Sequence, residues 1–454
     1  MDNNKERALA MGREPVGKLL AKYALPSIVA MSASSLYNMI DSIFIGQGVG
    51  AMAIAGLAIT FPLMNLSAAF GAGVGVGSST CISVKLGQKD YKTAEHVLGN
   101  SVTLNIIIGL AVGIIGLIFL NPILRFFGAS DETLPYARDY MVIILGANVF
   151  SHSYFGMNAV LRAMGKPNHA MGLTIFTVIM NLILAPIFIY GFKWGIQGAA
   201  WATVIAQFLA LCYQMKLFCN KNEYIHLHKG IFKPKADIVR NIIGIGVSPF
   251  AMNACACLVV IFINKSLVNY GGDLAVGAYG IANRVAFLFV MITMGINQGM
   301  QPIASYNYGS MQYDRLTQVL KLSIIWATVI MCAGFLLAML FPQQLARLFT
   351  TDDTLIGMSA KALQIMMFVY PLVGFQMVVT NLFQCIGKVK VSIFLSLSRQ
   401  LIFLLPLVIL LPNWFGLDGV WYSMPASDFI TTATTAWMLV LLLRNFKKEQ
   451  TNNE

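Results

Sequence analysis

Long apolar stretches separated by short polar turns run along almost the whole chain. Twelve of the stretches reach the length of about 20 mostly apolar residues that a helix needs to cross a bilayer. One extended polar segment, 220–237, interrupts them. The pattern predicts an all-α integral membrane protein with twelve transmembrane helices, over about 19–45, 51–80, 95–120, 136–160, 169–191, 196–218, 238–265, 274–302, 318–342, 357–382, 391–411 and 417–443.

The second half of the chain repeats the first at an offset of about 222 residues; Gly165-Lys166, for example, recurs as Gly387-Lys388. Six spans is an even number, so both copies enter and leave on the same side as parallel repeats, a design used by alternating-access transporters. We predict two pseudo-symmetric six-helix lobes, 1–219 and 238–454, joined by a cytoplasmic linker over 220–237.

Composition and charge support a membrane location and fix an expected orientation. Hydrophobic residues make up 57% of the chain and charged residues 11%, against about 25% charged in soluble proteins. With the N-terminus inside, 23 of the 31 Lys and Arg lie on the inner side and six on the outer side. This predicts that both termini are cytoplasmic. The net charge of +12 therefore does not indicate nucleic-acid binding, and we expect no such partner.

An acid inside a span is costly and needs a reason. Asp41, in the first span, continues a stripe at helical spacing formed by Ser27, Met31, Ser34 and Asn38. Such a stripe faces the bundle interior or a water-filled cavity, although an interfacial place near the helix end is the alternative. The matching residue of the second half is Asn264, an amide that cannot exchange a proton. A coupling-ion site, if present, is therefore expected in the first half.

Other polar residues lie in later spans. Asp428 and Arg399 are a possible internal ion pair, with a structural role favoured over substrate contact, whereas Arg284 has no partner that the sequence identifies. Spans four to six also carry the uncharged groups Asn158, Asn181, Thr203 and Gln207. Interhelical hydrogen bonds are enough to account for each one, and a functional role is the alternative. The sequence contains no Walker A, HExxH or GxSxG motif, so we expect no enzyme.

The chain resembles the multidrug and toxic compound extrusion (MATE) family, most closely its bacterial multidrug exporters. The resemblance covers essentially the whole chain and rests on the segments LPSIVAMSASSLYNMIDSIFIGQGVG, LRAMGKPNHA, MNLILAPIFIYG and GAAWATVIAQ. It implies a secondary active transporter in the bacterial cytoplasmic membrane. Its expected substrates are cationic or amphiphilic drugs, exported in exchange for H⁺ or Na⁺ with no cofactor. We expect a monomer in the lipid bilayer.

The same resemblance implies roles for individual residues. Pro26 matches a proline implicated in helix bending. Many members carry an aspartate before the proline of the fifth span, where this chain has Ala185-Pro186, and this difference favours protons over sodium. The implied ion-coupling residues are Asp41, Tyr37, Asn158, Asn181 and Thr203.

Two alternatives are weighed against drug export. A lipid-linked precursor flippase of a related fold needs a more basic central cavity than Arg284 and Arg399 would provide. A membrane receptor needs a signalling module, and the tail after Arg444 is too short for one.

Overall fold

A computed structural model of the protein describes residues 10–49, 51–349 and 352–453; within them, side chains are not described at 36, 38, 39, 42, 43, 46, 47, 51, 52, 54, 55, 58, 273 and 447–453. The regular secondary structure of these residues is helical, without a strand. The main helices are α1 (Val16–Gly48), α2 (Ala51–Gly87), α3 (Tyr91–Ile118), α4 (Leu134–Gly146, then Asn148–Ala163), α5 (Pro167–Pro186, continued by a π-helical turn to Gly191), α6 (Gly195–Phe218), α7 (Ala236–Gly272), α8 (Leu274–Gly309), α9 (Tyr313–Leu340), α10 (Asp353–Met367, then Tyr370–Cys385), α11 (Val389–Phe415) and α12 (Leu417–Asn453).

These helices correspond one to one with the predicted spans. Among the described residues, nine helices are long and apolar enough to cross a membrane, and α10, bent by 50° at its break, makes a tenth. Helices α1 and α4 take the places of the remaining two predicted spans. The prediction of an all-α, twelve-helix membrane protein is confirmed.

One glycine separates α7 from α8. The chain is helical from Ala236 to Gly309 except at Gly272, where φ is 67° and ψ is −167°. This left-handed conformation is strained for residues with a side chain and easy for glycine. Gly272 therefore lets one long apolar helix turn back as two spans.

The repeat is present in the backbone itself. α3 and α9 begin 222 residues apart and are both 28 residues long. Backbone positions with positive φ recur at almost the same offset, namely Lys89 and Met311, Gly165 and Gly387, and Gly195 and Gly416. The two halves therefore share turn geometry as well as hydropathy.

The chain forms two compact units with separate cores. Val29–Phe250 makes up most of the first, and the second combines Pro15–Ile28 with the chain from Ala251 onward. Buried side chains of the first core include Leu124 and Tyr140; those of the second include Met331 and Trp421. The lobe boundaries at 219 and 238 remain predictions.

The start of α1 packs within the second unit. A Cβ atom at Gly295 or Gly299 of α8 would overlap the backbone of Ile28 or Ala24, respectively. Small residues allow such close helix contact in a membrane, where van der Waals packing replaces the hydrophobic effect as the main attraction between helices. Pro26 lies between the two contact points.

The segment predicted as a linker is firmly attached to the first unit. The side chain of Asn100 on α3 accepts a hydrogen bond from the Lys235 amide at 2.8 Å and donates to the carbonyls of Ile231 and Lys233 at 3.3 Å each. Two side chains of the segment itself, Ile225 and Ile231, are buried. We call residues 220–235 the linker strap.

An ion pair fastens the beginning of the linker strap. Lys166 Nζ lies 2.6 Å from Glu223 Oε1, and both side chains are about 95% buried. The Tyr224 hydroxyl donates to the Met164 carbonyl at 3.2 Å. The linker strap thus fixes the turn between α4 and α5 as well as α3.

Candidate functional site

Asp41 is buried in α1 with 6% of its surface exposed. Its Oδ1 atom accepts no hydrogen bond from any described residue. An ionised carboxylate in that environment is expensive unless a proton or a cation neutralises it. Asp41 is therefore chemically suited to take up a positive charge.

Tyr37, Asn181 and Thr203 meet one helical turn from Asp41. They come from three helices, α1, α5 and α6. Tyr37 and Asn181 are 144 residues apart in the sequence. The Tyr37 hydroxyl is 2.9 Å from Thr203 Oγ1. Asn181 Nδ2 donates to the Tyr37 oxygen at 3.2 Å and to Thr203 Oγ1 at 2.9 Å.

These three side chains satisfy one another. The Thr203 hydroxyl donates to the Ala199 carbonyl at 3.2 Å, so Tyr37 is the donor in its bond with Thr203. Both hydrogens of the Asn181 amide nitrogen are then used. The network needs nothing from Asp41, and the carboxylate is left as the available acceptor.

Tyr140 is a neighbour of this network that the sequence did not reveal. It lies on α4 with 1% of its surface exposed, and it interacts electrostatically with Asp41 and Thr203. A tyrosine at helical spacing among apolar residues gives the same pattern as ordinary core packing. No signal in the sequence distinguishes it.

Asn158 occupies a different hydrogen-bonded group. Its Nδ2 donates to the Ala170 carbonyl at 3.0 Å, and its Oδ1 accepts from Arg162 at 2.6 Å. Both ends of the amide are thus engaged near the α4–α5 turn. The structure brings Tyr37, Asn181 and Thr203 together, whereas the hydrogen bonds of Asn158 go to other residues, so its ion-coupling role remains a prediction.

The rest of the α1 stripe is partly described. Ser27 is buried and donates to the Tyr23 carbonyl at 3.0 Å, and Ser34 is half-buried. The side chain of Asn38 lies outside the described residues. Ala185, where many relatives of the resembled family carry an acid, is fully buried.

The second unit carries the charged pair foreseen in the sequence. Arg399 Nε donates to Asp428 Oδ1 at 2.7 Å, between α11 and α12. Asn264, the counterpart of Asp41, is half-buried, and Arg284 is exposed. The two halves therefore share a backbone plan but differ in their polar groups.

The described residues contain no group of three or more His, Cys, Asp or Glu side chains placed to hold a metal ion. The polar cluster around Asp41 supplies one carboxylate, one amide and hydroxyls. Hard cations that bind proteins tightly collect six or more oxygen ligands. The chemistry that this cluster can perform with its own atoms is protonation or pairing with one positive charge.

Comparisons with known proteins find matches that cover nearly the full length of this chain. Residues 26–187 and 249–410 each match the MatE family. The multidrug export protein MepA of Staphylococcus haemolyticus (strain JCSC1435) is 28% identical over 428 residues, which is 94% of either chain. MepA of Staphylococcus aureus (strain MRSA252) is 28% identical over 433 residues, 95% of either chain. A solved outward-facing multidrug resistance MATE family transporter of the MOP superfamily superposes with a TM-score of 0.92 at 25% identity, covering 97% of this chain and 98% of the other.

Proposed function

Because this chain belongs to the MatE family, we propose that it exports cationic or amphiphilic drugs by antiport, with rocking of its two lobes giving alternating access. The names of the similar export proteins support the substrate class. The observation that supports the antiport is the buried Asp41 carboxylate, whose Oδ1 accepts no hydrogen bond from the described residues. A cationic drug and a coupling ion would compete for that one negative charge.

Protons are the proposed coupling ion. The neighbours of Asp41 complete their own hydrogen bonds, and Ala185 provides no second carboxylate. A sodium ion would find few free oxygen ligands, whereas a proton needs only the carboxylate. An ion shifts the balance of two conformations only by its different affinity for them, so Asp41 must change surroundings during the cycle.

Pro26 is the proposed bending point of α1. Proline lacks the amide hydrogen that would bond one turn back, and its ring crowds the preceding carbonyl. The Ser27 hydroxyl also bonds the Tyr23 carbonyl, an interaction that weakens helices locally. Both features fall within one turn of α1.

The proposed setting is the bacterial cytoplasmic membrane with both termini in the cytoplasm. The excess of Lys and Arg in the loops on that side supports this orientation. We propose a monomer that works without a cofactor and without nucleic acid. The flippase alternative is not favoured, because the similar proteins are named multidrug export proteins.

The decisive experiment is ethidium transport in proteoliposomes under an imposed proton or sodium gradient. We compare wild type, Asp41→Asn and the control Asp131→Asn, whose carboxylate is 88% exposed. The proton gradient should drive transport in wild type and in the control, and Asp41→Asn should transport at least about tenfold more slowly, as expected when a group that takes part in proton transfer is removed. Full proton-driven transport by Asp41→Asn would overturn the role of this residue. Transport driven only by sodium would overturn the choice of ion.

A further inference from the structure

We propose that Arg399, Tyr279 and Tyr370 form a subsite in the second unit that binds a carboxylate or another strong hydrogen-bond acceptor of an amphiphilic substrate. The inference deepens the proposed export function and rests on it. It assigns to the Arg399–Asp428 pair a part in recognition, beyond holding two helices together.

The ion pair uses only part of the guanidinium. Arg399 Nε bonds Asp428 Oδ1 at 2.7 Å, and the two Nη groups donate to no other described residue. A guanidinium has five N–H donors in a planar fork, so four remain. Asp428 is 94% buried, so most of the exposed surface of the pair belongs to Arg399.

The Arg399 side chain is partly exposed within the span. About one third of the Arg399 side chain is exposed, although it lies in the middle of α11. Charged side chains at membrane depth face the bundle interior or a water-filled cavity, since exposure to acyl chains is costly. The exposed part of Arg399 therefore lines a polar cavity.

Two tyrosines complete the donor set. Tyr279 on α8 and Tyr370 on α10 pack in one cluster with Leu401 of α11 and Trp421 of α12, and both interact electrostatically with Arg399. Tyr279 is 91% buried, yet neither hydroxyl makes a hydrogen bond with another described residue. A hydroxyl without a protein partner can bond a ligand, and both hydroxyls belong to the same cluster as a guanidinium with four remaining N–H donors.

The backbone of α11 is adapted at the same place. Ser398–Leu404 forms a π-helical segment, a rare geometry that is frequent at functional sites. The Ser427 hydroxyl donates to the Arg399 carbonyl at 3.0 Å. The π turn lies at Arg399, and this bond ties the backbone of α11 there to α12.

The chemistry of the subsite is the reverse of that around Asp41. Four guanidinium N–H groups and two phenolic O–H groups are donors, so they suit a planar carboxylate, which accepts two parallel bonds from an arginine. Asp428 lowers the net charge and makes the attraction moderate, as a transported substrate requires. The expected ligand class is a zwitterionic amphiphile carrying a carboxylate.

Two dyes isolate that carboxylate. Rhodamine 110 carries a free carboxylate, and rhodamine 123 is its methyl ester. Fluorescence polarisation with the purified full chain in detergent gives both dissociation constants. Tyr279→Phe, Tyr370→Phe and the charge-neutral Arg399→Gln/Asp428→Asn should each weaken rhodamine 110 binding about tenfold, as expected for hydrogen bonds to a charged group. Rhodamine 123 binding should stay within about twofold. Tyr422→Phe, an exposed tyrosine on α12, is the matched control and should change neither.

Equal changes for both dyes, or no change in the two tyrosine variants, would overturn the subsite, as would wild type that binds the ester but not the acid. The tyrosine variants remove a single hydroxyl each, so they decide the question even where the charge-neutral variant does not fold. Ester export by wild-type proteoliposomes is measured separately. Its absence would count against the proposed function, whereas loss of acid binding alone counts against the subsite.

Discussion

Removing the carboxylate of Glu223 should loosen the linker strap more than any surface charge change. The pair with Lys166 spans 2.6 Å, and the two side chains are only 5% and 6% exposed. Glu223→Ala leaves the ammonium group of Lys166 buried without its counter-charge. The cost of such an orphaned charge, rather than the loss of an attraction in water, governs the effect.

The size of the effect follows from burial. Breaking a buried ion pair by removing one partner costs about 3–5 kcal/mol. The exposed pair Arg125–Asp131 has a similar distance of 2.8 Å, but its side chains are 55% and 88% exposed. Removing one partner of an exposed pair costs about 1 kcal/mol or less. Asp131→Ala is therefore the matched control for Glu223→Ala.

Hydrogen exchange measured by mass spectrometry reports the loss of stability in the linker strap itself. The Leu227 amide donates to the Phe218 carbonyl at 2.8 Å, and the Lys235 amide donates to Asn100. A loss of about 3 kcal/mol raises the population of the opened linker strap by about a hundredfold. Peptides covering residues 219–235 should exchange faster by that order in Glu223→Ala, and peptides from the second unit should not.

A double variant tests the cause. Lys166→Met/Glu223→Gln removes both charges, so it should recover most of the protection that Glu223→Ala loses. If Glu223→Ala and Asp131→Ala gave equally small changes, burial would not be what makes the Lys166 pair important. If the double variant were as open as Glu223→Ala, the orphaned charge would not be the cause.

Three further outcomes are expected. Thr203→Val removes the oxygen that accepts from Tyr37 and Asn181 and should lower the free energy of unfolding by about 1–3 kcal/mol. Thr203→Ser keeps the hydroxyl and should lower it far less. Gly99→Ala places a Cβ on a linker-strap carbonyl and should speed strap exchange, while Gly146→Ala, with nothing within 4 Å, should not. A hydrogen bond to a backbone carbonyl and the nearby Glu95 raise the pKa of His228 above its ordinary value of 6.5, so its stabilising contribution is present below pH 6.5 and lost as the pH rises through the raised pKa. His228→Gln should accordingly reduce the difference in melting temperature between pH 6 and pH 8. An unchanged difference would show that the protonation of His228 does not contribute to stability.

The fold was predictable because membrane insertion leaves a strong imprint on sequence. A span needs a long apolar run, so the spans could be counted directly. The repeat was visible because glycines such as Gly165 and Gly387 sit at turns with positive φ, which other residues adopt poorly. The predicted linker was visible as polar, but its attachment was not, since the bonds of Asn100 to it cross 131 or more positions.

The candidate site was predictable only in part. Helical spacing placed Asp41 on a polar face, but spacing says nothing about which groups on other helices satisfy each other. Asn181 and Thr203 proved to be partners, whereas Asn158 is held by Arg162 four residues away. Tyr140 joined them without a sequence signal.

The position of Pro26 gives the proposed cycle a mechanical basis. Residues 15–28 pack with the second unit, while α1 from Val29 onward, including Asp41, belongs to the first. The turn containing Pro26 and Ser27 has lost a backbone hydrogen bond and has a side chain competing for another carbonyl. The proposed bend at Pro26 would fall close to where α1 passes from one packing environment to the other. Under this proposal, charge neutralisation at Asp41 would act on the part of α1 that packs in the first unit, beyond the segment in contact with Gly295 and Gly299.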